Sequence, residues 1–119
     1  MYEGCTVNLT VKYLTRKWTL LVILELYKGE GYMRRFSDLK DSLKGITSKV
    51  LSARLKELEK EGLVTRTVIS DSFPIKTEYR LTQSGVEIID IIKDIKVWAL
   101  KWKIDNIECG KQNCKDCIL

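Results

Sequence analysis

The stretch that decides the fold is Gly45-Ile46-Thr47-Ser48-Lys49-Val50-Leu51-Ser52-Ala53-Arg54-Leu55-Lys56-Glu57-Leu58-Glu59-Lys60-Glu61-Gly62. Gly45-Ile46-Thr47 is a tight link, and Thr47 carries the side-chain oxygen that caps a helix start. Ser48 to Glu61 is a predicted helix, because Leu51, Leu55 and Leu58 recur at spacings of four and three and share one buried stripe. Gly62 stands where a helix C-terminus favours glycine. Upstream, Ser37 is a predicted N-cap, and Ser37 to Leu43 reads as a helix of about two turns ending before Gly45. Two helices joined by a short turn, the second strongly amphipathic, form a helix-turn-helix candidate.

After Gly62 the period changes. Leu63 to Ile69 is rich in β-branched residues and Thr77 to Leu81 is a second strand-like run, with the turn residues Ser70-Asp71-Ser72-Phe73-Pro74 between them. A β-hairpin directly after the second helix of the motif is a wing. On the N-terminal side, Val7 to Leu14 reads as a brief helix. Lys17 to Lys28 reads as a central one, apolar on more than one face and ended by Gly29 and Gly31. Thr82 is a predicted cap for a last helix running to about Ile104, roughly 30 Å long at 1.5 Å per residue. Ile88, Ile91, Ile95, Trp98 and Trp102 make an apolar seam along it. A chain of this size is too small to cover all of that seam, so a two-fold partner is expected there. The alternative is a seam packed wholly on the domain's own core. The fold class is therefore α+β, mainly α: a winged helix-turn-helix with a two-stranded β wing and a long C-terminal dimerisation helix. Residues 1–105 form that domain and 106–119 a cysteine-containing tail.

Composition agrees with a single folded domain: 119 residues, 45% hydrophobic, with 21 Lys plus Arg against 16 Asp plus Glu. A net charge of +5 is compatible with a polyanionic partner without requiring one. No run approaches the 18 apolar residues of a membrane span, and Met1-Tyr2-Glu3-Gly4-Cys5 lacks the basic and apolar regions of a signal peptide. The expectation is a cytoplasmic protein with no membrane association. Histidine is absent, there is no glycine-rich phosphate loop, and no base is visible to activate a cysteine nucleophile. An enzyme is not expected.

With the three leucines facing inward, Ser48, Lys49, Ser52 and Lys56 turn to solvent. The first three crowd the end of the helix that enters the major groove in this motif. Lys49 can donate to guanine O6 and N7 or to a phosphate, and the serines suit either role. Arg54 has two readings, a backbone contact to DNA or a tie between helices. Lys76 near the wing tip, with Arg66 and Arg80 on its strands, can reach phosphates or the minor groove, although Asp71 repels phosphate. Arg34 and Arg35 are expected backbone clamps, with a structural role open to one of them. A merely solvated charged face is the ordinary alternative for all of these.

These residues resemble the HxlR family of transcriptional regulators, dimeric winged-helix proteins related to the MarR type, across about Cys5 to Trp98. Lys17-Trp18 resembles the family's Lys-Trp opening, and Arg35-Phe36-Ser37-Asp38-Leu39 its Arg-Phe-x-Glu-Leu segment, with Asp38 for glutamate. Gly45 to Leu58, then Glu61-Gly62-Leu63-Val64, resembles the recognition region. Pro74, Glu78-Tyr79-Arg80-Leu81-Thr82 and Gly85 resemble the wing and its ending. The resemblance implies a homodimeric, sequence-specific regulator of transcription that binds double-stranded DNA at a two-fold-related site, with half-sites about 34 Å apart or a multiple of that. It also implies that the dimer is built from the first and last helices. Cys5 matches an N-terminal cysteine that senses electrophiles or oxidants in some members, although Thr6 follows where proline is usual. Thr15-Arg16 replaces the common glycines.

The tail holds Cys109, Cys114 and Cys117, at spacings of four and two intervening residues. Such spacings are compatible with a thiolate site for Zn²⁺ or an iron–sulfur cluster, with Cys5 as a fourth ligand, though the fold requires no cofactor. Thiol chemistry favoured by Lys111 and Lys115, and a tail with no role, are equally open. A winged helix used for protein contact within a larger assembly is the rival to DNA binding. It would show an apolar or acidic patch where a DNA reader shows a basic one.

Overall fold

Helix α2, Thr19–Lys28, lies at the centre of the fold. Its Val22, Ile23 and Leu26 are wholly buried, because apolar side chains on more than one face let several elements pack on it. The computed structural model describes residues 3–71 and 73–117. Around α2 stand α1 (Thr6–Leu14), strand β1 (Met33–Arg35), α3 (Phe36–Ser42), α4 (Ser48–Lys60), β2 (Val64–Ile69), β3 (Lys76–Leu81) and α5 (Gln83–Trp102). A short α6, Ile107–Lys111, and a 3₁₀ turn, Cys114–Asp116, complete the described chain. Leu39 of α3, Leu51, Leu55 and Leu58 of α4, Val64 and Leu81 of the sheet and Ile89 of α5 join α2 in one core. No described helix is long and apolar enough to cross a membrane.

The ends of α4 follow from local chemistry. Thr47 Oγ1 accepts from the Val50 amide at 3.1 Å, satisfying a donor that the first turn leaves open. At the far end the Leu63 amide donates to the Leu58 carbonyl at 2.9 Å and the Gly62 amide to the Glu59 carbonyl at 3.1 Å. That pair is the Schellman arrangement, and it needs Gly62 at φ +84°, where a Cβ is costly. Gly45, at φ +95°, makes the turn between α3 and α4 in the same way. Thr82 Oγ1 caps α5 through the Gly85 amide at 3.3 Å.

The structure corrects the sequence reading in three places. α2 starts at Thr19 rather than Lys17, because Trp18 is in the left-handed region at φ 81° and cannot continue a helix. α3 begins at Phe36, with Arg35 in the N-cap position and no side-chain cap, so Ser37 lies inside the helix. The sheet has three strands, ordered β1-β3-β2, because Met33–Arg35 pairs antiparallel with β3 as well as the expected hairpin. Three residues, two of them arginine, carry no β-branched or alternating signal; the open edge of β3 makes them a strand.

Candidate nucleic-acid interface

Two of three directions around α4 have partners within the chain. Leu51, Leu55 and Leu58 are wholly buried in the core. A second side is tied to the link between α1 and α2: Arg54 Nε donates to the Lys17 carbonyl at 3.0 Å, and Arg16 pairs with Glu57 at 3.3 Å. The remaining side presents Ser48, Lys49, Ser52, Ala53 and Lys56, all exposed. Of the two roles open to Arg54, its guanidinium is therefore engaged in the tie between helices. Neither tie is legible from spacing, since Arg54 and Lys17 stand 37 residues apart.

The wing residues divide by strand parity. Successive side chains leave opposite faces of a sheet, and directly paired residues share a face. Arg34 and Arg66 both pair with Tyr79, so they lie on its face of the sheet. Arg80 pairs with Met33 and Thr65 on the other face, which also carries Arg35 and Lys76 together with Glu78. The basic residues thus form two groups, not one. Arg35 and Lys76 line a common hollow of about 410 Å³ between the start of α3 and the loop end of the wing, where Lys76 opens β3. Arg34 is turned toward α3: its Nη1 donates to Ser42 Oγ at 3.3 Å, and its Nε is buried without a partner. At the wing tip Phe73 is fully exposed and Ile75 largely so, an apolar tip where the sequence reads only as a turn.

On α5, Ile91, Ile95, Trp98 and Trp102 are exposed, as the seam predicts, and Val97 and, just beyond the helix, Ile104 add to the apolar surface. Ile88 differs, since it is half-buried and packs against the chain's own core. α1 carries further exposed apolar side chains, Val7, Leu9 and Val11.

The tail is folded back onto α2. Lys115 Nζ donates to the Tyr27 and Gly29 carbonyls at 2.7 and 3.2 Å, placing a cation at the negative end of that helix. The same ammonium lies over the rings of Tyr27 and Tyr32. Lys93 Nζ donates to Tyr27 Oη at 3.2 Å, and chiefly that hydrogen bond raises the ammonium above its ordinary pKa, against the pull of burial. Cys109, Cys114 and Cys117 are half-buried thiols lining one groove, while Cys5 is half-buried at the N-cap of α1. Among the described residues, no group of three or more His, Cys, Asp or Glu side chains is placed to hold a metal ion.

The sequence from residue 13 to 106 matches the HxlR-like helix-turn-helix family. A relative from Bacillus subtilis (strain 168), the uncharacterized HTH-type transcriptional regulator YvaP, is 39% identical over 92 residues, which is 77% of this chain and 82% of YvaP. The reduced form of the transcriptional regulator YodB from B. subtilis superposes with a TM-score of 0.73 at 27% identity, over 86% of this chain and 96% of YodB. YodB is also known in diamide-treated and quinone-bound forms. A MarR-family transcriptional regulator from Enterococcus faecalis V583 gives a TM-score of 0.71 at 33% identity, over 84% and 87% of the two chains. These are regulators and not enzymes, and the agreement spans the helix-turn-helix, the wing and most of the long helix. The chain belongs to the HxlR-like family of DNA-binding, winged helix-turn-helix transcriptional regulators.

Proposed function

We propose that the protein acts in the cytoplasm as a homodimer that binds a two-fold-related site in double-stranded DNA, with α4 in the major groove and the wing beside it. The observation that carries this reading is the exposed face of α4. Ser48, Lys49, Ser52 and Lys56 are solvent-facing on a helix whose other sides are fixed by the core and by the Arg54 and Glu57 ties. A reading head must be rigid, and small hydroxylic residues around one lysine let the helix approach base edges closely. Arg35 and Lys76, between the start of α3 and the loop end of the wing, flank it as phosphate contacts. The apolar seam of α5 with α1 supplies the partner surface, and two-fold symmetry sets the spacing of the half-sites. Cys5 is the thiol through which oxidants or electrophiles act on binding, as the diamide-treated and quinone-bound forms of YodB suggest.

Selection of a genomic fragment pool by the purified protein at fixed salt tests this. A two-fold-related site is expected to be enriched, with Lys49→Ala losing it and Cys5→Ser keeping it but becoming insensitive to diamide. Absence of selective enrichment in reduced and oxidised forms alike would point to a protein-contact module instead.

A further inference from the structure

The groove between α2, α5 and the tail has a volume of about 770 Å³ and is lined by Cys109, Cys114 and Cys117. Its remaining walls are mainly apolar, with Leu21 and Leu24 from α2 and Ile92 and Leu100 from α5. The chain contains no imidazole, and Glu25, the carboxylate at this groove, is held by Lys28 at 3.0 Å. Thiol is the metal-binding side-chain chemistry left to it.

Two of the thiols are set as a pair. Cys114 opens the 3₁₀ turn and Cys117 follows it, with the Cys117 amide donating to the Cys114 carbonyl at 3.3 Å. At three residues per turn, positions i and i+3 eclipse, so both side chains leave on one side, and both reach the groove. The turn is pinned from several directions. Asn113 Oδ1 accepts from the Lys115 amide at 2.9 Å, Lys115 Nζ is bonded to the end of α2, and Lys96 Nζ donates to the Gln112 carbonyl at 2.6 Å. The pair is therefore held before any ligand arrives, which lowers the ordering cost of binding.

We propose that Cys114 and Cys117 form a two-thiolate site for a soft monovalent d¹⁰ ion of the Cu⁺ class. Soft thiolates select such ions, whereas Zn²⁺ asks for four donors in a tetrahedron, and no ready group of even three stands among the described residues. Binding forms two Cu–S bonds and releases the two thiol protons to solvent; no electron moves. The resulting unit carries one net negative charge. Lys93 and Lys115, both stacked on the Tyr27 ring, place positive charge beside the turn to offset it. The Zn²⁺ and iron–sulfur readings of the same cysteines call for further donors, and no group of three stands ready among the described residues.

The test is an anaerobic titration of the full-length reduced protein with Cu⁺ against a chromophoric Cu⁺ chelator, with Zn²⁺ titrated in parallel and thermal melts confirming that each variant folds. One Cu⁺ per chain is expected, with affinity falling at least about tenfold in Cys114→Ser and in Cys117→Ser. Cys5→Ser is expected to bind as the parent does and Cys109→Ser to stay within about threefold, since neither belongs to the pair. Failure to bind Cu⁺, binding that survives both tail substitutions, loss in Cys5→Ser, or Zn²⁺ bound as tightly as Cu⁺ would each overturn the assignment. No DNA enters the titration, so its outcome is independent of the DNA-binding reading.

Discussion

Replacing Trp98 by alanine is the sharpest probe of the proposed dimer. Trp98 is 56% exposed, and the Lys103 ammonium lies 6.0 Å from its ring centre. A tryptophan presents on the order of 250 Å². Covering its exposed part removes about 140 Å² from water, or about 3.5 kcal/mol at ~25 cal/mol per Å². Allowing for the methyl group that alanine retains, about 3 kcal/mol is lost per protomer. Two-fold symmetry counts the loss twice, so about 6 kcal/mol is the upper bound for the dimer. Area is recovered only in part as affinity; taking half of that bound, the dimer Kd rises by about two decades. Sedimentation equilibrium over a range of protein concentrations reads that shift directly. Because the contact being removed is apolar, the loss should change little with salt. The thermal melt of the dissociated protomer should barely move, since Trp98 lies outside the buried core. A change in Kd of less than about threefold, with the fold intact, would refute the assignment of this face to the partner.

Leu55→Ala, at a wholly buried site on the inner side of α4, is expected to cost about 2–5 kcal/mol in urea unfolding; a cost under about 1 kcal/mol would contradict the packing described. Gly62→Ala should lose about 1 kcal/mol or more, because φ is +84° there, and a melting temperature equal to the parent's would argue against the Schellman end of α4. Arg54→Ala should lower thermal stability through the lost tie to Lys17, and a melt as high as the parent's would show that this hydrogen bond adds nothing. Lys115→Met should release the tail from α2, read as amide exchange about tenfold faster over residues 107–117; unchanged protection would mean that apolar packing alone holds it.

Features that depend on neighbours along the chain are legible before it folds. The Leu51, Leu55 and Leu58 stripe, the Thr47 and Thr82 caps and the glycine after α4 act within one or two turns, so spacing alone reveals them. The β-branched run before the wing turn and the apolar seam of α5 are equally readable, and with them the helix-turn-helix and the exposed face of α4. Features that depend on residues distant in sequence emerge only in the folded chain. Met33–Arg35 becomes a strand only because β3 offers an open edge. Trp18 adopts a left-handed conformation that no local pattern announces. Parity separates Arg34 and Arg66 from Arg35, Lys76 and Arg80 once the strands are paired, and pairing register is not contained in either strand alone. Arg54 reaches a carbonyl 37 residues away, and Lys115 crosses 88 residues to cap α2. Such contacts are legible only after folding because their energy comes from groups that the collapsed core, and not the chain, brings within reach.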